Sequence, residues 1–178
     1  VAALLADAKA SVGEVAPARA DITDFKRNYP KSEYLAVVAV AEGKSFMQEG
    51  KRARSPNQKR GDDASPEQAA LYAQAIAVWD DAAKKYPGDP ALEDGLLNKS
   101  ALLLQLNDIA GAEQAAIALA SAFPDGKDAP RALSNVARAA SDGDEKETAL
   151  RMYQRLVDDF PSDRLARSAR TQLQSLAL

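Results

Sequence analysis

The chain has 178 residues with 23 basic and 26 acidic side chains, a net charge of −3, and neither histidine nor cysteine. Those absences exclude Ser-His-Asp and Cys-His nucleophiles, Cys/His zinc sites and thiol redox centres, and the acidic balance argues against a sequence-independent phosphate binder. Alanine (38) and leucine (19) make about a third of the chain, while Val, Ile and Thr total only 16, a composition that favours helices and leaves little material for strands.

Taken in chain order, the periodicity predicts nine helices over about 2–12, 16–29, 32–49, 66–86, 89–106, 108–122, 128–141, 144–160 and 162–177. The nine prolines fall where these helices start or stop, which is where a residue without an N–H is tolerated. Turns at Gly13-Glu14, Asn107-Asp108 and Asp142-Gly143-Asp144 join helices into pairs. Ser32, Asp89, Asp128 and Ser162 are read as N-caps. No stretch approaches the roughly 18 apolar residues that a membrane span needs.

The order of the chain is set by a repeat. An aromatic precedes proline four times, at Tyr29-Pro30, Tyr86-Pro87, Phe123-Pro124 and Phe160-Pro161, with spacings of 57, 37 and 37. Twelve residues before these prolines stand Ala18, Ala75, Ala112 and Ala149. Eight before stand Ile22, Trp79, Ala116 and Tyr153, and five before stand Phe25, Ala82, Leu119 and Leu156. Steps of 4, 3 and 4 keep these positions on one helical face. The alanine lets a neighbouring helix approach closely, and the proline stops the helix after its last aromatic. The longer first spacing implies an insertion of about 20 residues. The stretch Lys51–Gln68, KRARSPNQKRGDDASPEQ, fills it; it is read as a flexible basic insertion at about 51–66, too polar to order itself.

The alanine twelve before proline, the residue eight before it and the helix-pair unit resemble the tetratricopeptide repeat (TPR). Leu133, Asn135, Val136 and Ala137 with Ala149, Tyr153, Leu156 and Pro161 fit that pattern best. The preceding repeat keeps Leu96, Asn98, Ile109, Ala112 and Pro124 but has Lys99, Ser100 and Ala116 at positions where the family prefers apolar, small and aromatic residues. The resemblance implies an all-α fold over 1–178, one repeat domain in which antiparallel helix pairs stack as an α-solenoid. It also implies a non-enzymatic protein-interaction scaffold without cofactor or metal. The 37-residue period closed by aromatic-Pro looks like the bacterial cell-envelope branch accompanying outer-membrane assembly and Tol-Pal complexes, which would place the chain in the periplasm.

In such a fold the first helix of each pair lines the inner surface. Arg131, Asn135 and Arg138 fall at i, i+4 and i+7, opposite Leu133, Val136, Ala137 and Ala140. Asn98 stands 37 residues before Asn135, at a point where family members often place an asparagine that holds a bound peptide backbone. With Arg167, these side chains form a candidate groove for an extended acidic segment or a C-terminal carboxylate of a protein partner. The alternative function is self-assembly. Leu4, Leu5, Leu165, Leu173 and Leu176 place apolar stripes on both end helices, and head-to-tail contact through them would give a homo-oligomer or filament. A carboxylate-dependent enzyme is a minor third reading, resting on Asp62-Asp63, Asp80-Asp81 or Asp158-Asp159, but adjacent carboxylates on a helix point about 100° apart. The basic insertion has no interleaved aromatic for stacking bases, so nucleic acid is not expected. A first residue Val1 rather than Met hints at cleavage or trimming.

Overall fold

The four aromatic-Pro steps end four helices in the same way. In the computed structural model, which describes residues 1–55, 58 and 63–176, Tyr29, Tyr86, Phe123 and Phe160 have φ between −133° and −129° and ψ between 54° and 69°. Each still donates its N–H to the carbonyl four residues back, at 2.8–3.2 Å. Proline forbids helical ψ in the residue before it, so the aromatic is both the last bonded residue and the point of exit. The N–H of Ser32, Asp89, Gly126 or Asp163 then bonds back to the carbonyl of the aromatic, closing the same turn four times.

Nine helices result among the described residues: α1 (Ala2–Ser11), α2 (Val15–Asn28), α3 (Leu35–Arg52), α4 (Pro66–Lys85), α5 (Leu92–Gln105), α6 (Ile109–Ala122), α7 (Ala129–Asp142), α8 (Lys146–Asp159) and α9 (Arg164–Leu176). Two of the predicted starts, at 32 and 89, come three residues too early, and one turn device explains why. Ser32 Oγ and Asp89 Oδ1 accept from the N–H two residues on, ahead of α3 and α5, which makes a turn before the helix instead of an N-cap on its first turn. At α9 the cap is Asp163, not Ser162, and its Oδ1 accepts from the Leu165 N–H at 2.7 Å. Asp128 does occupy the N-cap of α7. Side-chain caps occur at Asp108, which accepts from the Gly111 N–H at 2.8 Å, and at Ser65, which forms a reciprocal capping box with Gln68. Within pairs, the turns use left-handed residues: Gly13 (φ +85°), Asn107 (+58°) and Asp144 (+61°), the residue types that reach this region at least cost.

The chain forms two compact units, Val1–Gly95 and Leu96–Leu178. In the first, α1 packs on α2 and α3, α2 on α3, and α3 on α4. Glycine makes the α3–α4 contact close. A Cβ on Gly43 would lie 2.2 Å from Trp79 Nε1, and one on Gly50 would lie 2.5 Å from Tyr72 Cε1. Both pairs are seven residues apart in opposite directions, so the same glycine-under-aromatic contact recurs two turns along an antiparallel pair. Trp79 is fully buried and its indole N–H donates to the Val40 carbonyl at 3.3 Å. Lys44 binds Asp7 of α1 at 2.8 Å, Asp94 of α5 at 2.6 Å and Ser11 Oγ at 3.2 Å. Arg52 donates to the Gly13 carbonyl and so holds the α1–α2 turn from the end of α3. Pro56, Asn57 and residues 59–62 of the expected insertion lie outside the described residues, as do Ala177 and Leu178. Just inside that segment, Arg54 donates to the Gln58 carbonyl and Gln58 to the Asp63 carbonyl.

In the second unit, α7 packs on α6, α8 and α9, and α8 packs on α9. Its core runs from Leu97 and Ala112 through Leu133, Val136 and Leu156 to Ala166 and Ala169. The four repeat alanines, Ala18, Ala75, Ala112 and Ala149, are all fully buried. Alanine supplies more than half of the buried apolar positions among the described residues. Ser100 is tolerated where the family prefers a smaller residue because its buried hydroxyl donates to the Ala112 carbonyl at 3.3 Å. No helix among the described residues is long and apolar enough to cross a membrane.

Candidate protein-binding face

The polar residues singled out on α7 stand opposite its core. Ala129, Ala132, Leu133, Val136, Ala137 and Ala140 are buried, whereas Arg131 and Arg138 are exposed and Asn135 is half-buried. Arg131 Nη1 lies 2.8 Å from Asp128 Oδ1; the guanidinium is 61% exposed and its carboxylate partner only 6%. The buried carboxylate fixes one edge of the guanidinium and leaves the other towards solvent. Arg138 reaches back over one turn to Asn135 Oδ1 at 3.4 Å, a long contact that leaves most of its donors unused. Asn98, on α5, is half-buried and has a polar interaction of its own.

Arg167 falls out of this row. The pairs Ala129/Ala166 and Ala132/Ala169, each buried and 37 residues apart, fix the register of α9 against α7. In that register Arg167 corresponds to buried Pro130, and Ser168, Gln172 and Ser175 correspond to Arg131, Asn135 and Arg138. One residue along a helix is a turn of about 100°, so Arg167 flanks the row without lying in it. The exposed side of α9 nevertheless adds charge of the same sign. Arg164, Arg167 and Arg170 are exposed, and the helix contains no acidic residue.

The arginines of this unit divide by helix. Arg151 on α8 makes a two-pronged contact with Glu113 of α6 at 2.9 and 3.0 Å, and Arg155 pairs with Asp159 at 2.9 Å. On α7 and α9, by contrast, Arg138, Arg164 and Arg167 have no carboxylate partner among the described residues, and Arg170 donates to the Pro161 carbonyl. The arginines without a carboxylate partner therefore collect on α7 and α9. Of the end-helix leucines, Leu165, Leu173 and Leu176 are partly buried against the core of this unit. Leu4 and Leu5 of α1 are 58% and 49% exposed.

Comparison with known proteins agrees with the fold. Residues 131–163, spanning α7, α8 and the turn after them, match the tetratricopeptide repeat family model. No curated protein sequence matches the chain. Among solved structures, a thermophilic TPR protein from Thermus thermophilus superposes with a TM-score of 0.60 over 99% of this chain and 79% of that one, at 17% sequence identity. The repeated turn, the buried repeat alanines and these two likenesses make this an all-α, tetratricopeptide-like protein of the α-solenoid class.

Proposed function

We propose that the chain is a non-enzymatic scaffold that binds an acidic, extended protein segment against the polar face of α7, with Arg131, Asn135 and Arg138 as the contacting residues and the α9 arginines flanking them. Tetratricopeptide folds are in general protein-interaction modules. The observation that supports an acidic partner here is the unequal pairing of the arginines: Glu113 and Asp159 engage those on α8, whereas Arg138, Arg164 and Arg167 meet no carboxylate among the described residues and Arg131 pairs with Asp128 through one edge only. A planar guanidinium with free donors is suited to a carboxylate, and asparagine to a peptide backbone. Asn98 belongs to the proposal as the equivalent residue one repeat earlier. The setting we propose is a bacterial cell envelope, and it rests on the 37-residue aromatic-Pro spacing alone.

The test is fluorescence anisotropy with labelled extended peptides that differ only in acidic content. Acidic peptides should bind more tightly, with affinity falling as salt rises. Arg131→Glu with Arg138→Glu should weaken that binding by about tenfold or more, as the loss of two charge-assisted contacts implies. Equal binding of acidic and neutral peptides, or an unchanged affinity in the double variant, would remove the reading.

A further inference from the structure

On α7 two arginines flank an amide. Arg131 stands four residues before Asn135 and Arg138 three after it, so they leave the helix about 6 Å to one side of the amide and about 4.5 Å to the other. Seven residues bring the two arginines almost into line, about 20° apart around the helix. Arg131 keeps one edge on the buried Asp128 carboxylate, and Arg138 reaches only the Asn135 oxygen among the described residues. Amides recur at the same level of the neighbouring first helices: Asn98 on α5 and Gln172 on α9 each stand 37 residues from Asn135. Charge does not recur. The positions equivalent to Arg138 are Ala101 and Ser175, and on α9 the position equivalent to Arg131 is Ser168.

On the reading of α7 as the binding face, we propose that its ligand is an internal pair of adjacent acidic residues, one of them held at its backbone by Asn135. An asparagine accepts at Oδ1 and donates through Nδ2, so it can take the N–H and C=O of one residue of an extended chain. A chain held by the row of amides runs across the helix axes. Its side chains project at right angles to its backbone hydrogen bonds, and neighbouring ones point to opposite sides. Over α7 those two sides are the two directions of the helix axis, so one carboxylate meets Arg131 and the next meets Arg138. Two acids separated by one residue point the same way and reach a single arginine. The demand for charge ends there, because an extended chain crosses one helix spacing of about 8–10 Å in about three residues. Beyond the acidic pair it meets the neutral rows of α5 and α9.

Three peptides of one length test this by fluorescence anisotropy. Each carries a neutral dye at the amino end and an amide at the carboxyl end, so that no terminal carboxylate contributes. One has two adjacent central glutamates, one has the same two separated by an alanine, and one has glutamines in their place. The adjacent pair should bind about tenfold more tightly than the separated pair of equal charge, the gain expected from a second charge-assisted contact. Arg131→Gln and Arg138→Gln should each bring the adjacent pair down to the affinity of the separated one, with the helical circular dichroism unchanged. Equal affinity for the two spacings, both tighter than the glutamine peptide, would overturn the acidic pair and leave the acidic-segment reading standing. Equal affinity for all three peptides would remove both. A preference for the adjacent pair that survives in either single variant would also overturn the proposal.

Discussion

Gly43→Ala sets two effects of opposite sign against each other, and the structure decides between them. In an exposed helix the change stabilises by about 1 kcal/mol, because alanine is the better helix former. At Gly43 the new methyl would stand 2.2, 2.4 and 2.8 Å from Trp79 Nε1, Cε2 and Cδ1. The indole cannot swing aside, since it is fully buried and its N–H is bonded to Val40. Overpacking a closed core costs about 1–3 kcal/mol, and an overlap this deep belongs at the upper end. The net loss is then about 2 kcal/mol, or about 4–8 °C in Tm for a chain of this size. Urea unfolding followed by helical circular dichroism and by emission from the single tryptophan measures it. Gly95→Ala, whose Cβ would come only to 3.0 Å from Trp79, should lose clearly less. A Gly43→Ala protein as stable as the parent would refute the close α3–α4 contact.

Four further outcomes follow from the packing. Ala149→Leu should cost about 1–3 kcal/mol in thermal unfolding, because its fully buried methyl has no space beside it. Burial pulls the Lys44 pKa down, but hydrogen bonds and charges from Asp7 and Asp94 outweigh it and leave the pKa above its ordinary 10.5. The stability it contributes is thus present in full below pH 10.5 and lost as pH rises through the higher folded value. The destabilisation caused by Lys44→Met, about 1–3 kcal/mol at neutral pH, should therefore shrink in strongly alkaline urea titrations. Asp108→Ala should cost about 1 kcal/mol through loss of the α6 cap. Replacing residues 53–64 by a short Gly/Ser linker should leave stability nearly unchanged. Extending the replacement to Arg52 should cost about 1 kcal/mol more, because it removes the hydrogen bond to Gly13.

The repeat was legible because it is written in residues with only one physical use. An aromatic before proline has to leave the helix, and an alanine at a helix crossing has to be buried; the four steps and four alanines obey both demands. The helix starts were read less well. Ser32 and Asp89 look like caps in sequence, and only the backbone distinguishes a side chain that serves the N–H two residues on from one that serves the first helical turn. The Gly43–Trp79 and Gly50–Tyr72 contacts left a signal that went unused, namely two glycines and two aromatics each seven residues apart. The Lys44 cluster left none, because Asp7 and Asp94 are distant in sequence and become neighbours only through packing. On the candidate face, the period of α7 sufficed to place Arg131, Asn135 and Arg138 together. Arg167, read as lying near these three, flanks their row one residue out of register, about 100° around the helix.

The prevalence of alanine in the interior has a consequence for how this protein tolerates change. Most cores are damaged by subtraction: a truncated leucine or phenylalanine leaves a hole whose size sets the loss. Where the contacting residue is already alanine, only one methyl can be removed and no large void can open. Folding such positions also freezes no side-chain rotamers. Injury comes instead by addition, since nearly every replacement at Ala18, Ala75, Ala112 or Ala149 is larger than the space allotted to it. Substitutions usually regarded as conservative, such as alanine to valine, should then be damaging at these positions and push the helices apart, whereas shortening a large side chain opens a hole without changing the spacing between helices.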